Sequence, residues 1–208
     1  MPRPSRHMDQ QLLQAGLDIL LKKGFWALKV TAICKKAKVN PGMFVYYFKN
    51  KENFISHIFQ TLKEKLLPAH EVEYLSQLPL MEKLEEALYV FSCFTNQYPM
   101  LEYQMSYDFI EEDTSLVEML KEKLRVKIDY LVRLVKEAQE KALLINTISA
   151  ECIVLMITTA IDAPILYSKT PEHLNLFSQD IFDKQKKDAV SDSQMRLRIK
   201  HILKGFQI

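Results

Sequence analysis

Four glycines in 208 residues is the feature that most narrows what this chain can fold into. A compact β-protein reverses direction about every 8–12 residues and draws on glycine for its tight turns. With only eight prolines beside those glycines, the turn supply is too small for that architecture, and the expected fold class is all-α. The balance of 48% hydrophobic and 26% charged residues is that of an ordinary globular chain, which excludes a collagen or a disordered tail. The formal net charge of +2 conceals a strong asymmetry. Ten lysines and arginines fall within residues 1–51, from Arg3 to Lys51, while the remainder is net acidic. A basic head on an acidic body points to a polyanionic partner.

Cys34, Cys93 and Cys152 are odd in number and far apart, with no histidine at ligand spacing, so no disulfide framework and no metal site is expected. They are expected to be buried, reduced thiols. The N-terminus lacks an apolar leader, and the most apolar stretch, Cys152 to Leu166, reads as too short to span a bilayer and contains Asp162 and Pro164. A cytoplasmic protein without a membrane partner is expected.

Helical periodicity organises the head. Leu13, Leu17, Leu20 and Leu21 repeat on one face of a helix predicted over Met8–Lys23, which Gly24 stops. Phe25 and Trp26 follow as large apolar residues expected to plug a small core. A second short helix is predicted from Thr31 to Lys38, with Ile33, Cys34 and Ala37 inward. Asn40 then suits an N-cap and Pro41 a first helical position, starting a third helix over 41–48. Three short helices at this spacing form a helix-turn-helix arrangement. Beyond Lys51, helices are expected at 51–66, 80–97, 100–111, 115–143, 149–167 and 189–205, separated by Pro68, Pro79, Pro99, Asn146-Thr147 and a polar stretch near 184–192.

The residues of the head carry more than the arrangement. From Leu12 to Phe54 the segment holds, in order and without a gap, Leu12-Leu13, Ala15-Gly16, Ile19-Leu20, Gly24-Phe25, Ile33-Cys34, Ala37-Lys38-Val39, Gly42, Tyr47-Phe48 and Lys51. In this it resembles the DNA-binding domain of the TetR family of transcriptional regulators. The resemblance implies an N-terminal three-helix helix-turn-helix DNA-binding domain at 1–51, then a larger helical domain at 52–208 for effector binding and dimerisation. It places Pro41, Gly42, Met43 and Tyr46 where the family meets base edges, with Asn40 at the start of the same helix. Tyr47 and Lys51, four apart, would meet phosphate; Lys29, a further DNA-binding candidate, is placed at the start of the second helix either to touch phosphate or to point into water. Three departures stand out. Leu28-Lys29 replaces the usual threonine pair, leaving Thr31 to cap a later-starting helix. Lys38 replaces the turn glycine and would need a positive φ. Met43 and Val45 replace residues that donate hydrogen bonds to phosphate.

In the second domain, aromatic residues and methionines crowd residues 89–109. The family keeps a small-molecule cavity in this domain, so Tyr89, Phe94, Tyr103, Tyr107, Met156 and Thr159 are candidate contacts for a small, mostly apolar effector between the helices at 80–111 and 115–167. Thr158 and Asp162 are further polar candidates on an otherwise apolar helix. That helix needs cover on every side. Ile153, Ile157 and Ile161 on it, with the C-terminal stripe Met195, Ile199, Ile202 and Phe206, are the expected homodimer interface. The histidines at 7, 57, 70, 173 and 201 are scattered and no catalytic spacing recurs, so neither an enzyme nor a cofactor is expected. The function expected is a repressor bound to a palindromic double-stranded DNA operator and released by its effector. The alternatives are an effector-independent architectural DNA-binding protein, or a small-molecule-binding protein or enzyme that no longer uses its DNA head.

Overall fold

The computed structural model describes residues 7–24, 27–66, 74–99, 114–169 and 177–208. Phe25, Trp26, Tyr103, Tyr107 and the helix expected at 100–111 lie outside them. Nine helices are assigned among the described residues: α1 Met8–Lys23, α2 Val30–Ala37, α3 Pro41–Phe48, α4 Lys51–Leu66, α5 Leu80–Gln97, α6 Thr114–Glu140, α7 Ala150–Tyr167, α8 Gln179–Val190 and α9 Asp192–Lys204. No strand occurs among these residues, only an isolated bridge between Leu144 and Gln207. They separate into two compact units, one holding α1–α4 and the other holding α5, α6 from Glu118 onward, and α7–α9.

The first unit is organised by rings. Phe44 and Phe48 are one helical turn apart on α3, and both bury against Phe54 of α4, with ring centroids 5.0 and 4.9 Å away. His57 meets Phe48 edge-on from the same helix. Leu12, Leu17 and Leu20 of α1 and Ile33 of α2 complete the core. Gly16 lets α1 and α4 approach closely: a Cβ there would collide with the Phe54 ring and lie 3.3 Å from Cδ1 of Ile58. Because Phe54, Ile55 and Ile58 are buried in this way, α4 belongs to the first unit, which runs past the expected boundary at 51/52 to Leu66.

The second unit is held by α7 and α9, each packed on α5 and on one another, with α8 against both. Ile153, Ile157, Ile161 and Ile165 of α7 and Met195, Ile199 and Leu203 of α9 are buried within it. Arg196 of α9 forms a bidentate pair with Glu86 of α5, at 2.6 and 2.9 Å, and its guanidinium lies 3.6 Å above the Tyr89 ring. Deeper in, Lys127 of α6 lies 3.8 Å from Asp162 of α7, with only 6% and 13% of their side chains exposed. Lys127 also sits over the Phe91 ring. α7 is 18 residues long with mean hydropathy 1.6, long and apolar enough by count to cross a membrane, which corrects the expectation that this segment is too short.

Candidate nucleic-acid interface

The start of each of α2, α3 and α4 is shaped by a short polar segment. Asn40 caps α3, its side-chain oxygen accepting from the Gly42 N–H at 2.8 Å, and Pro41 occupies the first helical position. Asn50 does the same for α4 by accepting from the Asn53 N–H at 2.8 Å. α2 differs: it begins at Val30, its N-cap is Lys29, and no side chain caps it. Thr31 therefore sits inside the helix rather than capping it, because Lys29 already has the extended backbone of an N-cap. The turn from α2 to α3 is made by Lys38 at φ 56° and ψ 38°, the left-handed conformation that its position in the turn requires. Val39 N–H closes it on the Cys34 carbonyl at 3.0 Å.

This geometry sorts the side chains of α3. With Phe44 and Phe48 locked inward, Pro41, Gly42, Val45 and Tyr46 are exposed, Val45 at 58% and Tyr46 at 67%. Met43 and Tyr47 flank that face and are half-buried. Of the expected base-facing residues, Pro41, Gly42 and Tyr46 share one surface, while Met43 lies at its edge. Val45 shares that surface too, one turn after Pro41, which the helical spacing alone could have revealed. The Tyr46 and Tyr47 rings meet edge to face at 5.1 Å. Burial, together with the charge of Asp9 and the neighbouring Tyr46, pushes the Tyr47 phenol up, so its hydroxyl stays a neutral donor at physiological pH.

The exposed surface of α2–α4 and the turns between them is rich in lysine. Lys29, Lys35, Lys36, Lys38 and Lys49 are exposed, and Lys51 is half-buried at the first position of α4. Lys36 is pinned to Asp18 at 3.3 Å. Burial works against ionisation of Asp18, but a hydrogen bond from Gln14 and the Lys36 charge outweigh it and hold the carboxyl below its usual range. Lys29 and Lys51 both stand at the positive ends of helix dipoles, where a carboxylate would be favoured. Folding does not reward a cation there; an incoming polyanion does.

The other candidate residues divide differently. Phe94 is buried against Tyr98, and Tyr89 is covered by Arg196. Burial, a hydrogen bond with Cys93 and the nearby Asp192 push the Tyr89 phenol up to about 12. Met156 and Thr159 point out from α7 with Leu155, which is 66% exposed, so they do not face the interior. Thr158 returns its hydroxyl to the Val154 carbonyl at 2.8 Å. The dimer stripe is corrected in the same way: Ile153, Ile157, Ile161, Met195 and Ile199 are at most 2% exposed within the protomer and have no surface to offer a partner. Ile202 and Phe206 are half-buried. The apolar surface left outside on these helices consists of Leu155 and Met156 on α7 and Leu197 on α9. A groove of about 530 Å³ opens between α7, α8 and α9, walled by Pro164, Tyr167, Phe177, Phe182, Lys186 and Arg198. Cys34 is buried as expected, but Cys93 is half-buried and Cys152 exposed.

A small helix-turn-helix unit with a capped recognition helix in a basic setting defines a class of DNA-binding protein. Residues 12–58 match the family described as bacterial regulatory proteins, tetR family, a match confined to the N-terminal unit. The transcriptional regulator AcuR of Cereibacter sphaeroides is 44% identical over 45 residues, which take in 22% of this chain and 20% of that protein. Over nearly the whole length the fold is similar to that of the transcriptional regulator FadR from Bacillus subtilis, solved in complex with stearoyl-CoA, with TM-score 0.68 and 18% identity across 95% of this chain and 99% of that one. The fatty acid degradation regulator FadR from Bacillus halodurans is similar too, with TM-score 0.66 and 18% identity over the same shares.

Proposed function

We propose that the protein is a transcriptional repressor that binds a palindromic DNA operator as a homodimer and leaves it when a small effector binds. One observation carries this reading. α3 is capped by Asn40, fixed from behind by Phe44 and Phe48, and presents Pro41, Gly42, Val45 and Tyr46 outward in a unit whose helix ends and turns carry exposed lysines. A rigid helix with one solvent-facing edge is what the major groove admits. Tyr47, Lys51 and Lys29 serve as phosphate anchors around it, fixing register without reading sequence.

The homodimer is assigned to the outward apolar faces of α7 and α9, with Leu155, Met156 and Leu197 replacing the buried stripe as its contacts. Pairing these faces about a two-fold axis brings two heads to one palindrome. The effector class rests on two supports. The groove of about 530 Å³ combines apolar walls with Arg198, whose Nε is buried without a partner. A regulator of the same fold is known with stearoyl-CoA, which joins an apolar chain to a charged head. An amphipathic anion fits both.

Footprinting with the full-length protein tests the reading. A repressor of this kind protects a short inverted repeat, and a bound effector abolishes the protection. Broad protection without a repeat would mark an architectural protein, and no protection on any DNA would mean that the head no longer serves DNA. Native mass spectrometry of the purified protein checks for a retained amphipathic anion.

A further inference from the structure

The sequence of α3, Pro-Gly-Met-Phe-Val-Tyr-Tyr-Phe, holds none of the side chains that read base edges through paired hydrogen bonds. Guanine is read by arginine or lysine, adenine by asparagine or glutamine, and cytosine by a carboxylate. None of these lies between Pro41 and Phe48. Asn40, just before them, uses its side-chain oxygen to cap the helix. On the outward edge the hydrogen-bonding side chain is Tyr46, through one hydroxyl. What this edge offers instead is apolar: the Pro41 ring, the bare Gly42 backbone, the two methyls of Val45 and the face of Tyr46. Val45 and Tyr46 are the large hydrophobic residues left exposed in the first unit among the described residues. In the major groove, the apolar group on a base edge is the thymine 5-methyl.

We infer that the recognition helix selects its operator by packing Val45, with Pro41 one turn before it, on thymine methyl groups, so that Val45 is a specificity-determining residue and each half-site is fixed by A·T pairs. This rests on the proposed function, in which α3 enters the major groove. The geometry agrees with it. Pro41 and Val45, four apart, form one continuous apolar strip, and Gly42 beside them leaves the backbone open to close approach, since a Cβ there would meet nothing but Asn40 Oδ1 at 3.3 Å. A β-branched residue at an exposed helix position loses rotamer freedom against its own backbone and does nothing for helix stability. A methyl-reading contact gives it a use, because a stiff side chain has little further entropy to lose on binding.

The test uses the full-length protein and a randomised duplex pool. After selection, the enriched duplex is resynthesised with deoxyuridine in place of thymidine, one position at a time, which deletes the methyl and keeps every hydrogen-bonding group. The inference expects one or two positions per half-site at which this weakens binding about fourfold, the worth of one buried methyl. It also expects Val45→Ala to bind thymidine and deoxyuridine duplexes equally at those positions. Val45→Ala changes an exposed residue, so an unshifted thermal melt shows that the head is intact. Deoxyuridine without effect at every position overturns the inference, as do half-sites fixed by G·C pairs. If the pool yields no enriched sequence at all, the proposed function itself falls and the inference with it.

Discussion

Gly16→Ala sets two effects of opposite sign against each other. By helix propensity alone, alanine in the middle of α1 should stabilise the chain by about 1 kcal/mol. The structure predicts the reverse. Gly16 is buried, and its added Cβ would strike the Phe54 ring and approach Ile58 Cδ1 to 3.3 Å. That ring has no room to swing: Phe54 is 0% exposed and wedged between Phe44 at 5.0 Å and Phe48 at 4.9 Å. Relief requires α4 to move off α1, loosening Ile55 and Ile58 as well. Overpacking a filled core by one methyl costs about 1–3 kcal/mol, so after the propensity gain of about 1 kcal/mol a net loss of up to about 2 kcal/mol is expected. Differential scanning calorimetry reads this directly. The melt should fall by about 4–8 °C per kcal/mol if the head unfolds alone and by about half that if the whole chain unfolds together. Gly42→Ala, at an exposed helical position where the added Cβ meets only Asn40 Oδ1 at 3.3 Å, is the control and should not lower the melt as Gly16→Ala does. A Gly16→Ala protein that melts above the wild type would refute the close approach of α1 and α4.

Lys38→Gly should raise head stability by about 0.5–1 kcal/mol in chemical denaturation, because it relieves a left-handed lysine at φ 56°. Lys51→Ala should weaken binding to all DNA sequences alike and lower the salt slope by about one unit, whereas an altered sequence preference would remove Lys51 from the phosphate anchors. Leu155→Glu, on the exposed face of α7, should yield folded monomers by light scattering that lose operator binding, while Ile157→Glu, at 1% exposure, should instead unfold the second unit. Tyr89 titrates at about 12 in the folded protein, above its ordinary value of 10.0. Its contribution is therefore intact below about pH 10 and is lost as pH rises through 12, so the stability gap between wild type and Tyr89→Phe should narrow across that window.

The parts of the fold legible in the sequence are those where periodicity and punctuation agree. Leucine spacing and Gly24 bound α1, the Asn40-Pro41 pair starts α3, and prolines and caps frame α4 and α5. α2 begins one residue before its expected start because Thr31 looked like a cap, whereas Lys29 holds the cap conformation without any side-chain bond. α8 was hidden in a stretch too polar to show a stripe: its buried residues are Phe182 and Ala189, two turns apart on one face. The faces of α7 misled for the opposite reason. A helix apolar all round carries no pattern that tells inside from outside, and only packing against α5, α8 and α9 decides that the Ile153, Ile157, Ile161 row goes in and Leu155 with Met156 goes out. In the candidate site, the family pattern marked Met43, but the helical wheel set by Phe44 and Phe48 turns Val45 outward instead.

The pair of Lys127 and Asp162 has a consequence for how this protein can change over generations. Enclosed at 6% and 13% exposure, the two charges add little net stability, since the energy of removing them from water offsets most of their attraction. Loss of either charge alone breaks the enclosed ion pair, although Arg198 also acts on Asp162, and costs up to about 3–5 kcal/mol, a large share of what holds a domain together. Replacing both with apolar residues of similar volume, as in Lys127→Met with Asp162→Leu, is close to neutral by the same reasoning. Exchanging the pair therefore takes two coordinated substitutions, since either single change costs stability that the double change restores. The Phe91 ring under Lys127 has to be repacked in the same exchange.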